Sequence, residues 1–156
     1  MQSFTAEHPP RLTLLLGYAG LLPFIGGALG VWLTPLAWRP TVLSALLDYA
    51  AIILAFMGAI HWGLAMRAER KDTLALTQLG LSVLPAGLGW LAIVDIIPAG
   101  LAVALLLFGF IALYLADLRA VRLELAPRWY PALRKPLTLG VVLCLLATWL
   151  GVMLAG

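Results

Sequence analysis

The stretch LALTQLGLSVLPAGLGWLAIVDIIPAGLAVALLLFGFIALYLA, residues 74–116, decides the fold. It runs for 43 residues with a single charge, Asp95. At 1.5 Å of rise per residue, one helix of that length would reach roughly 64 Å, about twice the hydrocarbon core of a bilayer. The stretch therefore reads as two crossing helices, 74–94 and 98–116, joined at Asp95-Ile-Ile-Pro98. Asp95 suits a helix cap there, and Pro98 suits a first helical turn.

Working outward, the uncharged run 12–33 supplies a span before the hairpin, and 44–66 supplies another. Residues 136–155 supply one after it, opening on Pro136. The 22-residue first run is longer than the 7–15 residues of a signal-peptide core, and Glu7 beside Arg11 makes a poor basic leader. It is expected to be a retained span. The fold class that follows is all-α: an integral membrane bundle of five transmembrane helices, forming one domain over 1–156.

Composition agrees. The chain is 63% hydrophobic and 11% charged, with a mean hydropathy of +1.05. A soluble domain carries about 25% charged residues, so water cannot be the solvent for most of this surface. That excludes a soluble enzyme, a nucleic-acid binder and a disordered linker. The net charge of +3 comes from basic residues gathered between apolar runs. With five spans, Arg11, Arg67, Arg70, Lys71, Arg119, Arg122, Arg128, Arg134 and Lys135 share one side and Arg39 alone lies on the other. The positive-inside rule puts the nine in the cytoplasm, so the N-terminus is expected inside and the C-terminus outside.

Helices in lipid associate through small residues and polar contacts. Gly26 and Gly30 form a small-xxx-small pair in the first span. Ala51, Ala55 and Ala59 recur in the second, with Gly58 close by, and Gln78, Ser82, Pro85 and Gly89 share a face of the third. Pro23 and Pro85 lie well inside their spans, where each frees a carbonyl and kinks the helix. These residues are expected to pack the bundle, with a central cavity between kinked helices as the alternative.

Four strings then occur in order: Gly17-Tyr-Ala-Gly-Leu-Leu-Pro-Phe24, Phe56-Met-Gly-Ala-Ile-His-Trp-Gly63, Leu84-Pro-Ala-Gly-Leu-Gly-Trp90 and Trp129-Tyr-Pro-Ala-Leu-Arg-Lys-Pro-Leu-Thr138. Together they resemble an uncharacterised-domain family of small proteobacterial inner-membrane proteins that also includes a mitochondrial transmembrane protein. The likeness runs from about Leu12 onward. It implies a multi-pass helical protein of the cell inner membrane and no established activity. The tail before Leu12 lacks the character of a mitochondrial transit peptide, which favours a bacterial protein.

The polar residues inside spans are the functional candidates. His61 sits six residues before Arg67, roughly 9 Å inward from that helix end, beside the belt residue Trp62. Its imidazole titrates near neutral pH, which suits a proton acceptor or ligand contact. Asp117 is placed at the C-terminal end of the fourth span, where the helix dipole already presents negative charge. It needs a cation: Arg67, Arg134 or a protonated His61. Trp129, Tyr130, Arg134 and Lys135 read as an amphipathic lead-in for lipid headgroups or a partner. Asp48, one turn into the second helix, and Asp95 read as structural.

No catalytic fingerprint occurs, and Cys144 with two histidines forms no metal or haem spacing. No cofactor, metal or nucleic acid is expected. The first functional reading is a non-enzymatic accessory, an assembly or stabilising factor that docks to other inner-membrane proteins within the lipid bilayer. The alternative is a small carrier or binding protein for protons, an ion or a lipophilic ligand, using His61 and Asp117.

Overall fold

The computed structural model describes residues 9–67 and 73–155. Glu7, His8, Arg70 and Lys71 lie outside the described residues, as does the side chain of Arg67. Six helices follow in order: α1 Arg11–Ala19, α2 Leu22–Leu33, α3 Arg39–Arg67, α4 Thr73–Ala92, α5 Ala99–Arg122 and α6 Tyr130–Ala155. No strand occurs among the described residues. Four segments are long and apolar enough to cross a bilayer: Arg11–Leu33 taken across its break, Arg39–Met66, Ala99–Arg122 and Tyr130–Leu154. Within α4 the apolar stretch is shorter, Leu76–Ala92.

The first run is not one continuous helix. It breaks at Gly20-Leu21, and Pro23 stands in the first turn of α2 rather than in a helix interior. The cause is chemical: Pro23 has no N–H to give the carbonyl one turn back. At the break, the Tyr49 hydroxyl of α3 donates to the Gly20 carbonyl at 3.0 Å. Pro85, in contrast, lies inside a continuous α4.

Helices also outrun the apolar windows that announce them. α3 starts at Arg39, so Asp48 is more than two turns in and exposed, not one turn in. α5 continues to Arg122, which puts Asp117 inside the helix instead of at its end. α6 starts at Tyr130, so Pro136 is interior and Arg134 and Lys135 are helical. A backbone stays helical as long as its hydrogen bonds are made, whatever the polarity of the side chains. Asp95 caps nothing: it is exposed in the turn, and Pro98 is the N-cap of α5, with no side-chain cap.

α3 is central, packed by α2, α4 and α5, and α6 closes the bundle against α5, α2 and α1. Phe24, Leu54, Val103, Leu106, Phe110 and Leu145 are fully buried between them. Phe24 meets Tyr49 and Phe110 edge-on, at ring-centroid distances of 5.3 and 5.8 Å. Small residues set the closest approaches. A Cβ on Gly58 would stand 2.8 Å from the Ser82 carbonyl oxygen and 3.0 Å from the Pro85 ring. The α2 seam uses Gly27 and Gly30, whose added Cβ atoms would meet Leu46 and Val42 at 2.8 and 2.7 Å. Gly26 has open space beside it, because Phe24, Ala28 and Val31 set the buried stripe and Gly26 lies across the helix from it.

The exterior is apolar as well. Leu12, Leu33, Leu76, Leu84, Trp90 and Leu154 are among many large hydrophobic side chains left exposed. Patches on soluble monomers span a few hundred Å², so an exterior of this kind belongs in lipid.

Candidate functional site

Each inward-facing stripe carries a polar residue, on two of the helices more than one, near the same end of the bundle. On α3, Leu54, Gly58, His61 and Ala65 recur at steps of three and four. Gln78, Ser82 and Pro85 do so on α4, Phe110, Leu113 and Asp117 on α5, and Tyr130, Arg134, Leu137 and Thr138 on α6. Helical periodicity therefore aims His61, Gln78, Asp117 and Arg134 at one another.

The return from α5 to α6 fixes the register. Glu124 adopts a left-handed conformation, φ 57°. The Leu125 N–H donates to the Ala120 carbonyl at 2.9 Å and the Glu124 N–H to the Val121 carbonyl at 3.0 Å. This is a Schellman ending, normally built on glycine. Ala120, Ala126 and Tyr130 pack together beneath it, and the short return sets Arg134 opposite Asp117.

Arg134 Nε donates to Asp117 Oδ2 at 2.6 Å, and His61 Nε2 meets Asp117 Oδ1 at 3.0 Å. The Gln78 amide nitrogen donates to His61 Nδ1. With Nδ1 accepting, the imidazole proton sits on Nε2 and is donated to Asp117. Four helices are thus joined by one chain of hydrogen bonds. Its members are 7% exposed at Gln78, 2% at His61, 1% at Asp117 and 5% at Arg134. Asp117 and Arg134 cancel in charge, which is what allows an ion pair to persist in such surroundings.

Three polar atoms at this site are buried without a hydrogen-bond partner: Arg134 Nη2, Thr138 Oγ1 and the Tyr130 hydroxyl, which lies beside Asp117. Arg134 and Thr138 also line a cavity of about 120 Å³. Its other walls are largely apolar, among them Leu21, Phe24, Met57 and Val141, and it reaches the α1–α2 break at Gly20. Leu16 and Phe56 line it too while being 61% and 63% exposed on the outer surface. The cavity therefore opens sideways, toward lipid.

The structure brings together His61, Asp117 and Arg134 from among the sequence candidates. Trp62 is not with them; it is 45% exposed, one residue and roughly 100° of helix away from His61. Trp129 is half-buried and stacks edge-on with Tyr130 at 6.1 Å, while Lys135 is exposed. Tyr130 and Arg134 face inward, in place of the headgroup contact expected of them. Gln78 was expected only as part of a packing face. An amide in an otherwise apolar span is itself the signal, because it must find a partner within the bundle. Among the described residues no cluster of three or more His, Cys, Asp or Glu could hold a metal.

Comparison with known proteins adds a family and a relative. The family described as Protein of unknown function (DUF3429) matches residues 9–150. Transmembrane protein 69 of Xenopus tropicalis is 36% identical over 146 residues, covering 91% of this chain and 55% of that protein. The chain thus spans about half the length of that relative. No solved structure matches it.

Proposed function

Since the chain belongs to the DUF3429 family, whose description assigns no activity, we propose a function from the site itself: a multi-pass membrane protein that binds a lipophilic small molecule. The head of the ligand sits against Arg134 and Thr138, and its body lies in the apolar cavity. One observation carries this reading. Arg134, only 5% exposed, lines a cavity that opens toward lipid, and its Nη2, itself buried, has no hydrogen-bond partner. A buried donor left unpaired costs about 1–3 kcal/mol, and more on a charged group, so the arrangement favours an incoming acceptor.

The setting of the site follows from the same sequence pattern. With α4 as the fifth crossing, its 20 residues reach roughly 30 Å. The bias of basic residues then supports an inner-membrane orientation with the N-terminus inside and the polar network near the cytoplasmic face.

An accessory role in assembling other membrane proteins is the second reading. It is favoured by Gly63, Gly80 and Gly87, each with open space where a side chain would stand, so a partner helix could come close. The other glycines with close neighbours, such as Gly58 and Gly109, are used within the bundle.

Native mass spectrometry of protein purified in mild detergent tests the binding reading. A bound lipophile is expected on the parent and is lost in Val141→Phe, which fills the cavity. Thr138→Val, a smaller change, weakens it. A parent that carries no small molecule, and whose melting temperature no amphiphile raises, contradicts the reading and leaves the accessory role.

A further inference from the structure

The network at the head of the cavity is balanced for one extra anion and one extra proton. Asp117 and Arg134 cancel, and His61 is neutral with its proton on Nε2. Both oxygens of Asp117 are engaged, Oδ1 by His61 and Oδ2 by Arg134. What remains is Arg134 Nη2 and, one turn further along α6, Thr138 Oγ1, both without a partner. A guanidinium edge favours carboxylate or phosphate oxygens, through charge-assisted and geometrically matched bonds.

Size narrows the class further. The cavity, about 120 Å³, is slightly smaller than the roughly 150 Å³ engineered void known to admit benzene. That volume suits a carboxylate and the first few methylenes of a chain better than the bulkier headgroup of a phosphoglyceride. The rest of a single chain leaves between Leu16 and Phe56, which are exposed to lipid.

A carboxylate entering here would bring the four side chains plus ligand to a net charge of −1 in an apolar interior, which is costly. A proton added at His61 Nδ1 restores neutrality. His61 is the group placed to take it. Among the described residues, the titratable group bonded to it is Asp117 from α5, which in turn is held by Arg134 and lies beside Tyr130, both from α6. α4 contributes the neutral Gln78. Gln78 suits both states, because a primary amide carries a donor and an acceptor at opposite corners. Rotated by half a turn, it offers its oxygen to Nδ1–H in place of its nitrogen to Nδ1.

We propose that this site takes up a single-chain carboxylate amphiphile together with one proton, with His61 Nδ1 as the acceptor and the Gln78 amide as a partner that rotates. The balance is simple: an N–H bond forms at Nδ1, the imidazole gains one positive charge, and the carboxylate supplies the matching negative one. The proton comes from the free acid itself or from water, with the same net result. The proposal rests on the lipophile-binding reading above and deepens it.

Calorimetry in nanodiscs separates the two. Decanoate is the acid probe and 2-undecanone, of similar chain length, the neutral one; empty nanodiscs supply the background. Titration at pH 8 in two buffers of different ionisation enthalpy counts protons. The expected result is about one proton taken up per decanoate and none with the ketone. In His61→Gln decanoate binding weakens at least tenfold and its proton uptake vanishes. If His61→Gln does not fold, the buffer dependence of the parent decides alone. Ketone binding without decanoate binding, or decanoate binding without proton uptake, overturns this proposal and leaves the lipophile site standing. If neither probe binds, the lipophile site falls and the proposal with it.

Discussion

Asp117 on α5 accepts the Nε–H of Arg134 on α6 at 2.6 Å, with both side chains almost wholly buried. The second oxygen of the same carboxylate is held by His61 at 3.0 Å. Removing one member of a buried pair leaves the other charge uncompensated, so Asp117→Asn should cost about 3–5 kcal/mol. A double-mutant cycle with His61→Ala isolates the histidine contact. Unfolding in detergent should give a non-additive term of about 0.5–3 kcal/mol. Additive losses would mean that His61 and Asp117 do not share a network.

Gly58 faces backbone, the Ser82 carbonyl, which cannot swing aside as a side chain can. Gly58→Leu should destabilise the bundle by about 1–3 kcal/mol or more through overpacking. Gly63, on the same helix with open space beside it, is the control. Gly63→Leu should change stability by no more than about 0.5 kcal/mol. Equal melting temperatures for the two variants would contradict the α3–α4 seam.

Glu124 holds a left-handed backbone without being glycine. Relief of that strain, reduced by the greater freedom glycine has when unfolded, should make Glu124→Gly more stable by about 0.5–1 kcal/mol. The check is the melting temperature in detergent. A decrease would show that the Glu124 side chain supports the return between α5 and α6.

Much of this was legible because hydropathy reports lipid-facing length directly. The apolar runs found the helices, and the position of Gly58 beside an alanine stripe marked a close approach. Helix ends were not legible: Arg39, Arg122 and Tyr130 are polar or amphipathic, and a hydropathy window stops where such residues begin although the backbone does not. Arg134 reads both as a cation for Asp117 and, with Trp129, Tyr130 and Lys135, as a headgroup anchor, because its neighbours in sequence suit the interface. Its helical phase places it instead with Tyr130, Leu137, Thr138 and Val141, and that phase faces inward. Gln78 carries no charge and so attracted no functional reading, although it closes the network. The break at Gly20-Leu21 follows from Pro23, but the walls of the cavity beside it come from several helices that no spacing rule brings together.

With α4 as a fifth crossing, the nine-to-one distribution of basic residues predicts an orientation that can be checked independently. A reporter fused after Gly156 should be active when it requires the outer compartment and silent when it requires the cytoplasm. The reverse would place the His61–Asp117 network at the outer face.

The measurement that tests the account most directly is photolabelling with a single-chain amphiphile bearing a diazirine near its head, followed by mapping of the labelled residues. If the site binds such a molecule, label appears at Leu21, Phe24, Met57 and Val141 inside the cavity and is displaced by unlabelled amphiphile. Label confined to outward residues such as Leu29, Leu76, Leu84 and Trp90 would contradict it, leaving Arg134 as a brace between helices and not a seat for a ligand.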